Sequence, residues 1–530
     1  MVEERRQDPV DGVAYTFAEL SAYYATQKYS KKAIKAYWSD ECLPVKGKAK
    51  AKVKVKAKAK AKTAQASLPP VAPGNVPVFV MMQLDWMSDN GQCLRNPDGL
   101  CAQLKALKGA GITGVMADVW WGTCEPEPCQ YQFGAALQLC SMLQDIGLKW
   151  QAVMSFHKCG GNVGDSVNVP LPAWVLNVAQ EKKLLYCSHN GAVSEDCLSL
   201  SADEQSVFPG SSDSKRTGLN CYHDYMAAFL QTVMEYLGSV VCELQVGMGP
   251  CGELRYPSYM GANGWQFPGV GLVMASDPMM TTRMLQEAKL SELPQGLPVD
   301  QNALPDQVPI FEDFGGGAEP GCRSKNGKAF FAWYSACLIQ HGQDVLLAAA
   351  EALKVTASRW ASRADLKSTG FCLSAKVSGL HWHVMHRSRA TEACAGYDCC
   401  SDAYADAYSE IAKMLSKASQ TIQLPVLFNF TCMEMQNNSN AGMPETLSAP
   451  EDLIAQVRKA CVTHGVPLAG ENAIEFDPST SQWAFDQMTK QVRGWSKGVD
   501  RMHGLTLLRL GDSFVKRDSL KKLGEFASAL

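Results

Sequence analysis

The sequence has 530 residues, of which 46% are hydrophobic and 19% are charged. A chain of this size can bury a large core, either as one big barrel or as two or three smaller domains. The formal net charge is −3, and without the nine lysines within residues 46–62 it is about −12. An acidic main body argues against nucleic-acid binding. The sequence contains no apolar run of about 18 residues, so no membrane span is predicted.

Residues 1–45 form an aromatic-rich N-terminal segment whose role the sequence does not reveal. Its aromatic spacing suits one or two short amphipathic helices. The first eight residues are polar and charged, with no apolar stretch behind them, which predicts neither a secretory signal nor a transit peptide. Twenty cysteines are scattered over the whole chain, mostly inside apolar runs. We therefore expect reduced, mostly buried thiols and an intracellular protein, in either the cytoplasm or the plastid.

Residues 46–76 are predicted to be a flexible linker. Lysine alternates with Ala, Val or Gly over residues 46–62, and residues 63–76 are rich in Ala and Pro. A period of two cannot form a helical stripe, and closely spaced lysines repel each other, so the segment should be extended and solvated. A simple tether and a basic arm for an anionic surface both stay open. A protein or anionic-surface contact through residues 1–62 is thus one partner hypothesis.

From residue 77 to residue 530, short β-rich apolar runs alternate with helical patterns, which is typical of a parallel sheet. The predicted strands are Val78–Leu84, Gly114–Trp120, Leu148–Phe156, Val240–Gly249, Cys372–Gly379, Pro425–Cys432, Val466–Glu471 and Gly504–Leu510. The predicted helices are Ala135–Gln144, Tyr222–Leu237, Phe330–Leu353, Ala403–Ala418, Pro450–His464 and Ser519–Ala529. Eight such units predict an α/β domain, a (β/α)8 TIM barrel with long βα-loop insertions after strands three and four. An open doubly wound sheet is the alternative, but no Gly-rich phosphate-binding turn follows the first strand.

Polar side chains end seven of the eight predicted strands, where the active site of such a barrel lies. Carboxylates can supply an acid and a base, and flat aromatic rings can cover the apolar faces of sugars. Singly, each polar residue is more typical of a buried ion pair or a helix cap. Their joint placement predicts a carbohydrate site.

Six stretches of the sequence resemble those of one family. They are GVMADVWWG, AVMSFHKCGGNVGDSVNVPLPAWV, VGMGPCGELRYPSY, AKVSGLHWH, FNFTCMEM and LAGENA. In this order, over roughly residues 77–515, they look like those of β-amylases, the glycoside hydrolases of family fourteen. The resemblance implies hydrolysis of α-1,4-glucosidic bonds in starch and related glucans, with β-maltose released from non-reducing ends by inversion. It implies no cofactor, no metal, and neither a nucleic-acid nor a membrane partner.

The resemblance also implies roles for individual residues. Glu253, in GELRYPSY, matches the general acid, and Glu471, in AGENA, matches the general base. Residues 160–167 match the mobile lid over the site. The positions that match substrate-binding residues are Asp118, His157, Asp165, Lys376, His381, Thr431, Asn472, Ala473 and Arg509.

The two glutamates need different surroundings for these roles. An inverting pair lies roughly 6.5–9.5 Å apart, which leaves room for the attacking water. We expect an apolar or anionic environment at Glu253, which must carry a proton. We expect Lys376 or Arg509 beside Glu471, which must stay ionised.

Three local departures from the family pattern keep a second function open, a non-catalytic glucan-sensing or regulatory barrel. They are the first strand, MMQLDW, the run Leu272–Ala275 and the run Asp398–Ser401, and none of them includes either glutamate. A third hypothesis is a metal-dependent hydrolase that uses alternating histidines. Its candidate ligands are His157, His381, His383 and His386. His386 lies off the alternation, and no acidic ligand has matching spacing.

Overall fold

The computed structural model describes residues 5–7, 14–26, 35, 38–39, 43–44, 76–162, 164–312, 321–494 and 500–530. The chain divides into two compact units, Met1–Thr63 and Ala64–Leu530. Of the predicted linker, residues 46–75 lie outside the described residues. The domain boundaries drawn from the sequence therefore stay predictions.

The described part of the N-terminal unit combines one helix with a small antiparallel sheet. The helix is Phe17–Thr26, and the strands are Arg5–Gln7, Ala14–Thr16 and Leu43–Pro44, with the first strand in the middle. Thr16 and Glu19 cap the helix start reciprocally, each backbone N–H donating to the other's side chain at 2.8 and 3.3 Å. The helix lies within the segment for which the sequence predicts one or two short helices. The strands were not predicted, because two or three residues are too few to show an alternating pattern.

Eight parallel strands close into a barrel in the larger unit, which confirms the predicted fold class. They are β1 (Val78–Met81), β2 (Gly114–Trp120), β3 (Lys149–Ser155), β4 (Val241–Val246), β5 (Cys372–Val377), β6 (Val426–Phe430), β7 (Leu468–Glu471) and β8 (Leu505–Leu507). Each strand pairs with its neighbour in sequence, and β8 pairs back with β1. The strands are almost wholly buried, which explains why they appear in the sequence as continuous apolar runs.

One main helix follows each barrel strand. These helices are α1 (Pro97–Gly109), α2 (Gly134–Ile146), α3 (Gly218–Thr232), α4 (Lys325–Ala352), α5 (Ala407–Ile422), α6 (Pro450–His464), α7 (Gln482–Arg493) and α8 (Arg517–Ala529). Helix α6 has the predicted bounds. Pro450 occupies its first position, and Gly465 ends it with a φ of +66°, a conformation that favours glycine.

The longest connections between strands are residues 156–240, between β3 and β4, and residues 247–371, between β4 and β5. Short elements lie in these and other connections: the helices Trp121–Cys124, Ala173–Lys182, Pro278–Arg283, Arg363–Ser368 and Ala390–Cys394, and the paired strands Leu185–Cys187 with Val193–Leu198 and Phe208–Pro209 with Lys215–Arg216. No helix in the described part of the chain is long and apolar enough to cross a membrane.

The barrel interior contains a polar network among its apolar side chains. Gln151 Nε2 donates to Glu243 Oε2 at 2.7 Å, and the Ser374 hydroxyl donates to the other oxygen of Glu243. Thr506 Oγ1 donates to Gln151 Oε1 at 3.0 Å. Burial raises the pKa of Glu243 even though these hydrogen bonds oppose it. The network satisfies a buried carboxyl group and joins β3, β4, β5 and β8.

The cysteines of the described residues are all free thiols, and of these only Cys93 is exposed. This agrees with the prediction of reduced, mostly buried cysteines.

Candidate active site

The two predicted catalytic glutamates both lie at the carboxyl end of the barrel. Glu253 follows β4 after the short 3-10 turn Pro250–Gly252, and its backbone forms a parallel bridge with Lys376 near the end of β5. Glu471 is the last residue of β7. Glu471 is fully buried and Glu253 is 7% exposed. The barrel therefore brings together two carboxyl groups that are 218 positions apart in the sequence.

Glu471 lies against a cation and an amide, as the sequence leads us to expect for an ionised base. Lys376 Nζ is 2.8 Å from Glu471 Oε2, and Asn429 Nδ2 donates to Glu471 Oε1 at 2.6 Å. Burial works to lower the pKa of Lys376, but the charges of Glu471 and Glu253 outweigh it and raise the pKa above its usual range. Lys376 therefore stays protonated, and its charge lies directly against the Glu471 side chain.

The surroundings of Glu253 differ from the expectation. Arg255 Nε donates to Glu253 Oε2 at 2.6 Å, and the Arg255 side chain is 2% exposed. The sequence predicts an apolar or anionic environment for this carboxyl group, whereas its nearest charged partner is a guanidinium. The reason is local: Arg255 lies only two positions further along the turn that carries Glu253.

Asp118 and His157 lie beside the catalytic candidates. The Ser155 hydroxyl donates to Asp118 Oδ1 at 2.8 Å. Burial raises the pKa of Asp118, while the charges of Arg509 and Lys376 oppose this rise, so these groups share one electrostatic environment. Burial, reinforced by the Lys376 and Arg255 charges, lowers the pKa of His157 to about 3. His157 Nδ1 is buried, with no hydrogen-bond partner among the described residues.

Asp165 is engaged within its own loop. Its carboxylate accepts hydrogen bonds from the backbone N–H groups of Gly160 (2.7 Å) and Asn162 (3.0 Å). Reciprocal backbone hydrogen bonds of 2.9 Å between Cys159 and Val169 close the base of this loop. Asp165 thus stabilises the segment that matches the family lid, of which Val163 lies outside the described residues.

Two other predicted contacts, His381 and Thr431, lie at the ends of β5 and β6. His381 Nδ1 is 2.8 Å from the Ser448 hydroxyl, and burial lowers the pKa of His381 to about 4. The Gly379 N–H donates to Thr431 Oγ1 at 2.8 Å. Thr431 therefore fixes the loop after β5 to the loop after β6.

Asn472, Ala473 and Arg509 connect the ends of β7, β8 and β1. The Leu508 N–H donates to Asn472 Oδ1 at 2.7 Å. Arg509 donates to the Met82 carbonyl at 3.1 Å, and its Nε is 3.2 Å from Glu475 Oε1. These contacts close the polar rim where the first and last strands meet.

Three polar residues have contacts in the site although the sequence gave them no role. They are Arg255, Asn429 and Glu434. The carboxylate of Glu434 accepts hydrogen bonds from the Ala473 and Ile474 N–H groups at 2.8–3.0 Å, which fixes the turn after Glu471. All three lie at strand ends within motifs that were already recognised. Their positions at strand ends therefore indicated a place in the site, but the sequence does not show which residues they contact.

The histidines of the metal hypothesis point to separate partners. His381 contacts Ser448, His383 Nδ1 is 2.7 Å from Thr391 Oγ1, and His386 contacts Ser388 and Asp306. Within the described ranges, no group of three or more His, Cys, Asp or Glu side chains has a geometry that could hold a metal ion.

Two of the departures from the family pattern have structural roles. Residues Leu272–Ala275 are buried in the hydrophobic core. Asp398 Oδ1 accepts hydrogen bonds from the Cys400 and Ser401 N–H groups at 3.2 and 3.0 Å, so the run Asp398–Ser401 is a self-capped turn.

Comparisons with known proteins agree with the observed fold. The model of glycosyl hydrolase family 14 matches residues 79–530. A β-amylase 2 described as chloroplastic, from Oryza sativa subsp. japonica, is 38% identical over 464 residues, covering 86% of this chain and 77% of that protein. A chloroplastic β-amylase 1 from Arabidopsis thaliana is 37% identical over 473 residues, covering 85% and 76%. The crystal structure of the catalytic domain of a β-amylase from Paenibacillus polymyxa superposes with a TM-score of 0.64 at 26% identity, covering 87% of this chain and 98% of that domain.

Proposed function

The chain belongs to glycosyl hydrolase family 14, and we propose that it has β-amylase activity (4-alpha-D-glucan maltohydrolase). In this proposal it hydrolyses α-1,4-glucosidic bonds in starch and related glucans, and releases β-maltose from non-reducing ends with inversion. The observation that carries the proposal is the buried pair Glu253 and Glu471 at the carboxyl ends of β4 and β7. Two carboxyl groups on opposite sides of the scissile bond are what this chemistry requires.

Glu471 acts as the general base in the proposed mechanism. The Lys376 amino group at 2.8 Å and the Asn429 amide at 2.6 Å fix the position of its two oxygens. The carboxylate takes a proton from a water molecule, and the water oxygen bonds to the anomeric carbon. Attack from the face opposite to the leaving group gives the β anomer.

Glu253 acts as the general acid. It donates its proton to the glycosidic oxygen as the bond to the anomeric carbon breaks, so that the remaining glucan leaves with a new hydroxyl group. After one turnover Glu253 is ionised and Glu471 is protonated, and exchange with solvent restores both. Asp118, His157, Asp165, Lys376, His381, Thr431, Asn472, Ala473 and Arg509 bind the glucan in this proposal.

The relatives also support a proposal for where the protein acts. Two similar proteins of Oryza sativa and one of Arabidopsis thaliana carry a chloroplast location in their names. This favours the plastid over the cytoplasm for the present chain.

Proton NMR of the purified protein with maltoheptaose tests the reaction. We expect the anomeric signals of β-maltose to dominate in the first minutes, before mutarotation mixes the anomers. Early α-maltose would contradict inversion, and glucose or a ladder of products would contradict release of maltose from chain ends. Glucan binding without any product would favour the non-catalytic glucan-sensing barrel instead.

Substitution of each glutamate tests its role. Glu253→Gln and Glu471→Gln should each abolish turnover, with a loss of at least ~10²-fold in kcat, because they remove an ionisable group but keep its size. Glucan binding, measured by calorimetry, should persist in both variants. Glu392→Gln is the matched control, since Glu392 is also fully buried and paired with an arginine, Arg389, but makes its contacts outside the site. Full activity in either active-site variant would refute the assigned role.

A further inference from the structure

His341, a buried residue of α4, makes a hydrogen bond on each side of its ring. Its Nδ1 is 2.6 Å from Asp203 Oδ2, and its Nε2 is 3.0 Å from the Met248 carbonyl oxygen. A carbonyl oxygen can only accept a hydrogen bond, so Nε2 must carry a hydrogen. Asp203 fixes the orientation of the ring through the other nitrogen. The side chain is therefore locked with one N–H directed at Met248.

Met248 begins the turn that carries Glu253, the proposed general acid. The Met248 N–H donates to the Gly252 carbonyl at 3.4 Å, and the Glu253 N–H donates to the Pro250 carbonyl at 3.0 Å. Within this turn Cys251 has a φ of +55°, which is uncommon for any residue other than glycine. Such a backbone conformation persists only where the surrounding structure holds it. The turn therefore depends on contacts with other elements.

Helix α4 supplies such contacts at both ends of the turn. At the first end, His341 donates to the Met248 carbonyl. At the other end, Gly342 lies against Leu254, the residue after Glu253. A Cβ atom at Gly342 would be only 2.9 Å from Leu254 Cδ1. Two consecutive residues of α4 thus contact the segments on either side of the proposed acid.

The position of this turn matters for the proposed chemistry. A general acid works only within hydrogen-bond reach of the oxygen that it protonates, and a displacement of about 1 Å can cost roughly 10²-fold in rate. We propose that His341 is a positioning residue for Glu253: its Nε2–H holds the Met248 carbonyl and thereby fixes the turn that directs the Glu253 carboxyl group at the glucan. This inference rests on the proposed function and extends it to a residue outside the set assigned to glucan binding.

Two substitutions separate the contact of His341 with Met248 from its contact with Asp203. The amide nitrogen of glutamine reaches about as far along the side chain as Nε2, whereas that of asparagine reaches only as far as Nδ1. His341→Gln should therefore keep the hydrogen bond to Met248, with kcat for maltoheptaose within about threefold of the wild type. His341→Asn should lose that hydrogen bond, so kcat should fall roughly 10-fold while KM stays within about twofold.

The kinetic comparison needs a control for lost stability. Glu392→Gln weakens a buried pair with Arg389 outside the site and should keep the wild-type kcat. Equal kcat values in His341→Gln and His341→Asn would refute the role of the Met248 contact, whether both values fall or neither does.

Hydrogen exchange tests the same contact without any turnover. The peptide that covers residues 248–255 contains the Gly252 and Glu253 amides, both of which donate within the turn. This peptide should exchange faster in His341→Asn than in the wild type, and at the wild-type rate in His341→Gln.

A third measurement does not need the asparagine variant to fold. In the wild type labelled with ¹⁵N histidine, NMR should show a hydrogen on Nε2 of His341, with the signal identified by its absence from His341→Gln. An Nε2 without a hydrogen would refute the role of His341.

The outcomes separate the inference from the proposed function. If the wild type releases β-maltose but the two variants at position 341 behave alike, the role of His341 is refuted and the function stands. If exchange in the turn responds only to His341→Asn but the wild type cleaves no glucan, the proposed hydrolysis is refuted and the anchoring of the turn by His341 is supported.

Discussion

Lys376 lies between the two proposed catalytic groups, with its amino group 2.8 Å from Glu471 and its backbone bridged to Glu253. Lys376→Met should remove the positive charge beside Glu471 while filling similar space. We expect kcat to fall about 10²-fold, because the cation that positions the proposed base is lost. The measurement is the steady-state rate of maltose release from maltoheptaose.

Lys413→Met provides the control for this substitution. Lys413 is an exposed lysine of α5 whose amino group is 3.0 Å from Glu410, so it loses the same charge in a surface ion pair. Its kcat should equal that of the wild type. A Lys376→Met protein with wild-type kcat would show that Asn429 alone suffices to position Glu471.

The short helix Trp121–Cys124 begins the connection after β2. It contacts the segment that follows the lid. A Cβ atom on Gly122 would lie 1.8 Å from the Pro170 carbonyl oxygen, which is backbone and cannot rotate away. Gly122→Ala should therefore displace residues near Pro170 and lower the free energy of unfolding by roughly 1–3 kcal/mol. We also expect KM for maltoheptaose to rise several-fold, because the displaced backbone adjoins the base of the lid. Urea unfolding and steady-state kinetics measure the two effects.

Gly109→Ala is the control for a glycine-to-alanine change in a helix. Gly109 is the last residue of α1, is exposed, and would place its Cβ in open space. This variant should be stabilised by about 0.5–1 kcal/mol, with KM unchanged. If Gly122→Ala behaves in the same way, the helix is not the support of the lid segment.

The regular elements were the most predictable part of the molecule. All eight barrel strands coincide with predicted apolar runs, because strands buried on both faces are mostly apolar. The predicted runs extend beyond the observed strands, for example to Leu510 where β8 ends at Leu507. Apolar residues continue into the buried loops there, so burial does not mark where strand pairing ends.

The placement of the candidate site residues at strand ends was predictable, but their contacts were not. The motifs place Lys376 and Glu471 at strand ends, and the barrel then brings them to 2.8 Å. The partnership of Asn429 with Glu471 joins residues 42 positions apart, which no local pattern encodes. The Arg255–Glu253 pair is local in sequence, yet its geometry depends on the turn at Pro250–Gly252. Residue types thus follow from the sequence, whereas protonation states depend on tertiary contacts.

At the scale of the whole molecule, stability in acid should depend on histidines that folding buries in their neutral form. His383 is fully buried, and burial lowers its pKa to about 3. The unfolded chain takes up this proton near pH 6.5, so the unfolded state binds more protons and stability falls as the pH drops below that value. From pH 7 to pH 5 this single residue should lower the free energy of unfolding by about 2 kcal/mol.

Urea unfolding of the wild type and of His383→Gln at both pH values measures this effect. Between the two pH values, the free energy of unfolding should fall less in His383→Gln than in the wild type, by about 2 kcal/mol. His189→Gln, at an exposed histidine, should reduce the loss far less. An equal loss in the wild type and His383→Gln would mean that His383 binds a proton in the folded protein, and that its neighbours move to solvate the charge.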